Sequence, residues 1–388
     1  MHLEKPLNAS LCWRIVTLVS ALLFLCLCFQ LYKNGSQDVE TAIYKNVDVQ
    51  KEMENAEDIK FQLSSWEKKS EELGVPIISV PTGIFIQSIK FENSHEVNVT
   101  GYIWQKYTKG VHYGISRGFI LPESVNSADT AVEEIAYQKQ DGDTEVIGWY
   151  FERILRQNFT YYQFPLDFQT VWIRFWHKDF YNNVVLTPDL NAYDRVGLKD
   201  VFGIDEDIVM AGWTFVDTNF VYKDRNYDTR FGLDEYSGQR AFPELYYNIL
   251  LKRNILSPLV IYIGPILVVL ILLFNVLILN TSDSKKRGIS GFSTLESFAT
   301  FTGLFFVVML AHIDLRESFP VDEIVYIEYF YLLTYTVIIS LTINFHLFTK
   351  ENSGSMVRLL QFEDNIFVKL LYWPTILGVL NVMTFQIL

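Results

Sequence analysis

Apolar residues crowd the last third of the chain in four stretches, at about Ile255 to Asn280, Gly291 to Ile313, Ile324 to Phe348 and Ile366 to Leu388. Each approaches the roughly 20 residues that a helix needs to cross a hydrocarbon core about 30 Å thick. The pattern therefore predicts four membrane-spanning helices. A further apolar run, Ile15 to Tyr32, stands near the start behind Lys5 and Arg14. Basic residues ahead of such a run mark either a cleavable signal peptide or a retained anchor. No small-x-small cleavage site comes cleanly after it, so an anchor with a cytoplasmic N-terminal side is expected.

Between these runs the pattern changes twice. From Asp38 to Leu73 the chain is charged and nearly free of Gly and Pro, and Ile43, Val47, Met53, Ile59, Leu63 and Trp66 recur at loosely helical spacing. A membrane-proximal helix or stalk is expected there, with disorder as the alternative. After Gly74 to Pro81, short runs rich in Tyr, Phe, Trp, Val and Ile are broken by Gly, Asn, Asp and Pro, which predicts a β-sandwich. Alternation is visible in Ile84, Ile86, Ser88 and Lys90, and again in Val97, Val99, Gly101 and Ile103, as for strands with one buried face. The expected fold class is an all-β extracellular sandwich followed by an all-α four-helix transmembrane domain, with an extra N-terminal membrane segment and a helical stalk. In numbers, the divisions are 1–33, 34–77, 78–253 and 254–388.

Charge orients this arrangement. Lys285, Lys286 and Arg287 lie between the first and second C-terminal spans, and Lys350, Arg358 and, just inside the start of the fourth span, Lys369 mark the link between the third and fourth. The positive-inside rule puts both links in the cytoplasm. The link from Asp314 to Glu323 is acidic apart from Arg316 and is expected outside, with the sandwich. A net charge of -13 argues against nucleic acid as a partner and favours cations near the polar module. Cys12, Cys26 and Cys28 all lie in or beside the first apolar run, so the sandwich has neither a disulfide framework nor a Cys-ligated metal site. The six histidines lack metal-ligand spacing, and no cofactor is implied. No nucleophile elbow, phosphate loop or paired nucleophile and base points to an enzyme. Two sequons, Asn98 to Thr100 and Asn158 to Thr160, are near chance level.

From Tyr161 the chain reads Tyr-Tyr-Gln-Phe-Pro-Leu-Asp-Phe-Gln-Thr-Val-Trp. Phe164, Pro165, Asp167 and Gln169 resemble the Phe-Pro-x-Asp-x-Gln loop of the pentameric ligand-gated ion channels, the Cys-loop receptor superfamily. The order of residues further along the chain strengthens the resemblance: Trp213, Val216 and Asp217, then Phe242, Pro243, Tyr246, Tyr247 and Lys252, then a helix bearing Pro265, and later Ser318-Phe319-Pro320. The cysteines that name the family would fall near Gln157 and Val171, and their absence is similar to prokaryotic members. The N-terminal anchor and stalk lie outside the family's basic plan. The resemblance implies a homo-pentamer that passes inorganic cations through a lipid bilayer, opened by an unknown small-molecule agonist or by protons. Phe164, Pro165, Asp167 and Pro320 would couple the sandwich to the helices. Without the family, the loop is a mechanical contact or an ordinary β-turn with a buried phenylalanine.

Aligned on Pro320, the second span would direct Glu296, Ala299, Thr300, Gly303, Phe306 and Leu310 toward a pore. A carboxylate in an apolar segment is costly unless it faces water or a partner. Five copies of Glu296 would form a cation-selecting ring, with Phe306 and Leu310 closing the pore above it by dewetting. Alternatively, Glu296 is an interfacial residue paired with Lys286 or Arg287. The family's aromatic ligand cage would use Tyr102, Trp176, Tyr222, Tyr227, Phe231 and Tyr236, whose faces attract organic cations. In a chain 15% aromatic, the same residues also suit a core. Asp314, Glu317, Asp322 and Glu323 beside His312 would answer to external pH or form a solvated acidic rim. The alternative to a channel is a non-conducting membrane receptor or scaffold with the same fold.

Overall fold

The computed structural model describes residues 9–35, 56–73, 77–125, 132–194, 200–225, 227–233, 243–281, 294–319, 323–348 and 362–388. The chain divides into two compact units. One comprises Asp38–Thr160 and Phe168–Arg253; the other comprises Met1–Gln37, Tyr161–Asp167 and Asn254–Leu388.

The sandwich unit opens with a helix, α2, over Ala56–Leu73. Among the described residues nine strands come after it: β1 Ile78–Phe91, β2 Glu96–Thr108, β3 Phe119–Ile120, β4 Val132–Asp141, β5 Thr144–Arg156, β6 Phe168–His177, β7 Val184–Pro188, β8 Trp213–Lys223 and β9 Glu244–Arg253. They form a five-stranded sheet in the order β4-β5-β2-β1-β7 and a four-stranded sheet in the order β3-β6-β9-β8. Both sheets are antiparallel except for the parallel β1–β7 pair. The alternation expected in β2 is present, with Val97, Val99, Ile103 and Tyr107 all buried. In β1 it breaks. A bulge between Ile86 and Ser88 inserts one residue, so Ile84 and Ile86 are buried, Ser88 turns outward and Ile89 takes the inner face. The close approach of the paired strands there requires glycine at 101, where a β-carbon would lie 2.1 Å from the Phe85 carbonyl oxygen. Helix α2 meets the sandwich through Trp66, which is buried edge-on against Tyr222 at 4.7 Å.

Among the described residues, the helical unit contains five helices long and apolar enough to cross a membrane. These are α1 (Ala9–Gly35), α3 (Leu256–Leu279), α4 (Thr294–Ser318), α5 (Glu328–Phe348) and α6 (Ile366–Ile387). Helix α3 contains a wider π-type turn at Leu259–Ile263, just ahead of Pro265. Proline has no N–H to give to the preceding turn, and local rewinding absorbs that loss. Helix α4 runs past the apolar limit at Ile313 to Ser318 and takes in Asp314, Arg316 and Glu317, which the hydropathy pattern assigned to a link. No proline or glycine interrupts it there, and Arg316 finds an acceptor in Glu328. All three cysteines lie on α1 as free thiols.

Segment Tyr161–Asp167 marks one end of this unit. A β-carbon on Gly35, the last residue of α1, would lie 3.5 Å from Leu166 and 3.9 Å from Ile255. Phe319, just after α4, packs on Phe164, and the Tyr326 N–H, just before α5, donates to the Tyr162 carbonyl at 2.8 Å. The Tyr326 hydroxyl meets Thr384 near the end of α6 at 2.8 Å. Helices α1, α4 and α6 therefore run toward the segment, and α3 and α5 run away from it.

Two buried histidines brace the sandwich. His112 Nδ1 accepts the Thr108 N–H at 2.6 Å, and its Nε2 lies 2.7 Å from the Ser79 carbonyl. His177 Nδ1 accepts the Asp179 N–H at 3.0 Å, while Nε2 lies 3.4 Å from the Tyr107 hydroxyl. Both ring nitrogens of His177 are thus in use by the neutral form. Burial pulls its pKa from 6.5 down to about 4, although Asp179 pulls it up. The unfolded chain takes up this proton near pH 6.5 and the folded chain only near pH 4. The contribution of neutral His177 is complete above about pH 6.5 and falls away by roughly 3 kcal/mol as the pH drops toward 4. Hydrogen-exchange protection of β3 and β6 should therefore weaken across that window in the wild type. In His177→Gln it should start lower at pH 7 and change less, and equal slopes for the two proteins would refute the assignment.

Candidate functional site

Segment Tyr161–Asp167 owes its shape to its own turn chemistry. The Phe164 N–H donates to the Tyr161 carbonyl and the Leu166 N–H to the Gln163 carbonyl, both at 2.8 Å, around a cis Phe164–Pro165 peptide. The turn pushes Phe164 among helix ends, leaving it 1% exposed. Its ring lies 4.3 Å from Phe319 and 5.7 Å from Tyr262, and Tyr161 lies 5.3 Å from Phe319. Tyr262 continues the junction: its hydroxyl donates to Ser318 at 3.4 Å, and its carbonyl accepts the Tyr331 hydroxyl at 3.0 Å. One aromatic wedge thus touches the starts of α3 and α5 and the end of α4 through a continuous set of contacts. Pro165 and Asp167 are buried beside it. Pro320 lies outside the described residues.

On α4 the residues divide by face. Ser297, Phe301, Val308 and Leu315 are buried, and Phe301 packs edge-on against Phe345 of α5 at 5.0 Å. Their spacings of four, seven and seven describe one side of a helix. Glu296, Ala299, Gly303, Phe306 and Leu310 occupy the opposite side and are exposed, Phe306 at 52% and Leu310 at 62%. Thr300 is half-buried at the margin, and its hydroxyl donates to the Glu296 carbonyl at 2.9 Å. The exposed face is acidic at its first turn, small in the middle and bulky and apolar above.

At the loop end of α4 the acidic residues face outward, while His312 does not join them. Asp314, Glu317 and Glu323 are exposed, and Asp322 lies outside the described residues. His312 turns instead to Glu328 of α5, a residue that hydropathy alone does not single out. Glu328 is 2% exposed. One of its oxygens meets His312 Nε2 at 3.3 Å and also pairs with Arg316, and the other accepts the Val325 N–H at 2.9 Å. The Tyr335 hydroxyl lies 3.3 Å from His312 Nδ1, and the Tyr331 ring stacks on the imidazole at 5.0 Å. A buried carboxylate with several charged and polar partners fixes α4 to α5 at one height.

In the sandwich unit, β6 and the segment before β9 bring together Trp176, Tyr227 and Phe231 of the expected cage. Trp176 lies 5.7 Å from Tyr227 and 6.0 Å from Phe231, with Phe180 joining them at 5.1 Å from Trp176 and 5.3 Å from Phe231. Behind these rings stands Glu244, buried at the start of β9. It accepts from Trp176 Nε1 at 2.7 Å, from the Tyr227 hydroxyl at 2.5 Å, from the Tyr246 hydroxyl at 3.2 Å and from Arg174 at 3.2 Å. Arg174 also pairs with Glu123 and lies 5.5 Å from the Trp176 ring centroid. Burial works against the Arg174 charge, yet the carboxylates of Glu123 and Glu244 hold its pKa above the ordinary value. For Glu123 itself burial prevails over Arg174 and pushes the carboxyl up. Burial and the bond to Glu244 push the Tyr227 hydroxyl up, so it stays a donor at neutral pH. The rings offer an aromatic surface whose polar backing is already neutralised.

The remaining cage candidates stand elsewhere. Tyr222 is buried, donates to the Leu186 carbonyl at 3.0 Å and is covered by Trp66. Tyr102 is on β2 in the other sheet, 5.5 Å from Tyr150. Tyr236 lies outside the described residues. Glu244 and Arg174 escaped sequence reasoning, although charged residues inside the apolar runs of β9 and β6 were a visible signal. Among the described residues no group of His, Cys, Asp and Glu could hold a metal ion.

Compared with protein-family models and with curated proteins, the chain matches none.

Removing the Phe164 ring would leave a cavity between helix ends. Phe164→Ala should cost about 3 to 5 kcal/mol of stability, and Phe164→Leu clearly less. Thermal denaturation of the detergent-solubilised protein measures both, and an unchanged melting temperature for the alanine variant would show that the wedge carries no packing energy.

Proposed function

We propose that the chain is one subunit of a homo-pentameric, cation-selective ion channel, opened by an agonist or by protons acting on an external sandwich. The observation that carries this reading is the Phe164 wedge. The stretch that resembles the family's Phe-Pro loop lies between two strands yet belongs to the helical unit, and its phenylalanine packs on the helix ends. Movement of that segment would be felt directly by α4 through Phe319. Such coupling shifts an existing equilibrium between closed and open states by differential contact with each.

In this reading α4 lines the pore, its exposed face turned to the axis and its buried face to α5. Five Glu296 carboxylates would concentrate cations at the cytoplasmic mouth, and rings of Phe306 and Leu310 would exclude water when closed. The aromatic group of Trp176, Phe180, Tyr227 and Phe231 would receive the agonist, an organic cation or another ring-bearing small molecule. The four C-terminal spans form the family's transmembrane domain, with α1 added outside it. A second reading, a non-conducting receptor or scaffold of the same fold, draws support from the bulky apolar upper face of α4 at Phe306, Leu310 and Ile313, which would suit lipid equally well.

Flux measurements on the purified protein in liposomes separate the two. The channel reading expects cation flux, and Glu296→Gln should move the reversal potential under a salt gradient toward that of a non-selective pore. An unchanged reversal potential would remove Glu296 from the filter. Silence of the wild type across agonist screens and external pH, together with particles that are not five-fold, would leave the receptor reading standing.

A further inference from the structure

We infer that α1 is kept in the mature protein as a fifth membrane helix, seated along α6 by the side chain of Asn381. This does not depend on whether the protein conducts.

Asn381 is a polar group in an unfavourable place: it lies in the apolar helix α6 and is 8% exposed. Its amide Nδ2 donates to the Leu377 carbonyl of its own helix at 2.7 Å and to the Leu23 carbonyl of α1 at 3.0 Å. Without α1, the second bond is lost and the amide faces hydrocarbon, where no water can replace the partner. Ser20, one turn before Leu23, buries its hydroxyl oxygen as well, and Asn381 Oδ1 is likewise buried; neither atom has a hydrogen-bond partner among the described residues. Polar groups at this depth belong between helices rather than toward lipid.

The geometry on either side is that of a built interface. Both helices run toward the segment Tyr161–Asp167, and Leu23 and Asn381 stand 14 and 15 residues from the respective helix starts at Ala9 and Ile366. The two are therefore parallel neighbours in matched register. Leu27, one turn beyond Leu23, is buried in a helix whose other apolar side chains are largely exposed, as expected for a single contact stripe. At the end of α1, Gly35 comes close to Leu166 and Ile255, so the helix reaches the loop that carries Phe164. A cleavable leader needs none of these fixed points. The N-terminal apolar run thus acts as an outer strut that covers α6 and backs the loop that carries Phe164.

The test uses the full chain with different tags at its two ends and a protease site inserted within 36–55. Membranes should yield a single polypeptide bearing both tags; a C-terminally tagged product that has lost the N-terminal tag would overturn retention. After cleavage of the solubilised protein at the inserted site, the α1 fragment should co-purify with the remainder. Release of the fragment from a remainder with an unchanged gel-filtration profile would overturn the docking. Asn381→Leu, which keeps the apolar volume and removes the interhelical bond, should reduce fragment retention by about threefold. Retention equal to wild type would overturn the role of Asn381.

Discussion

Hydrocarbon offers no hydrogen-bond partners, so every backbone amide in a membrane-spanning segment must be satisfied within its own helix. That constraint makes five apolar helices out of five apolar runs, and it gives the few polar side chains among them unusual weight. Several find a partner on a neighbouring helix. The Tyr372 hydroxyl donates to the Leu270 carbonyl at 2.8 Å, tying α6 to α3, and Lys369 does the same at Asn280 at 2.8 Å. Asn365 donates to Asn344 at 2.8 Å at the foot of α6 and α5. Tyr331 holds α5 to α3 through the Tyr262 carbonyl, and Glu328 gathers His312 and Arg316 of α4 onto α5. Apolar faces can slide against one another with little loss, whereas these bonds exist at only one register.

The same logic gives the segment Tyr161–Asp167 its importance. It is sealed into the helical unit by packing and by a backbone bond from Tyr326 to Tyr162, so it is a fixed member of that unit rather than a loose connection. Phe164 is its apolar centre. Helices α3, α4 and α5 all present a residue to it or to its immediate neighbours, and a displacement of the wedge would disturb all three together. The sandwich unit, in contrast, is specified by two sheets whose inner faces are filled with branched and aromatic residues. Buried Glu244 and the buried imidazoles of His112 and His177 are well supplied: Glu244 has four partners, and the two histidines use both ring nitrogens. A saturated group of that kind resists substitution.

Hydrophobic length by itself determined the five crossing-competent helices, and alternation determined the strand-rich middle, because both signals are local and repeat along the chain. The Phe-Pro motif was legible for the same reason, being contiguous, and so was the stripe on α4, since helical spacing alone puts Glu296, Ala299, Gly303, Phe306 and Leu310 on one face. The features that only the tertiary structure decided depend on distance in space. The bulge that turns Ser88 outward is set by pairing with β2. Trp176, Tyr227 and Phe231 meet because β6 pairs with β9, while Tyr222, equally aromatic, is closed off by Trp66 from far earlier in the chain. Glu328 and Asn381 carried no periodic signal, since a single polar residue in an apolar run shows its purpose only when the helix that supplies its partner is in place.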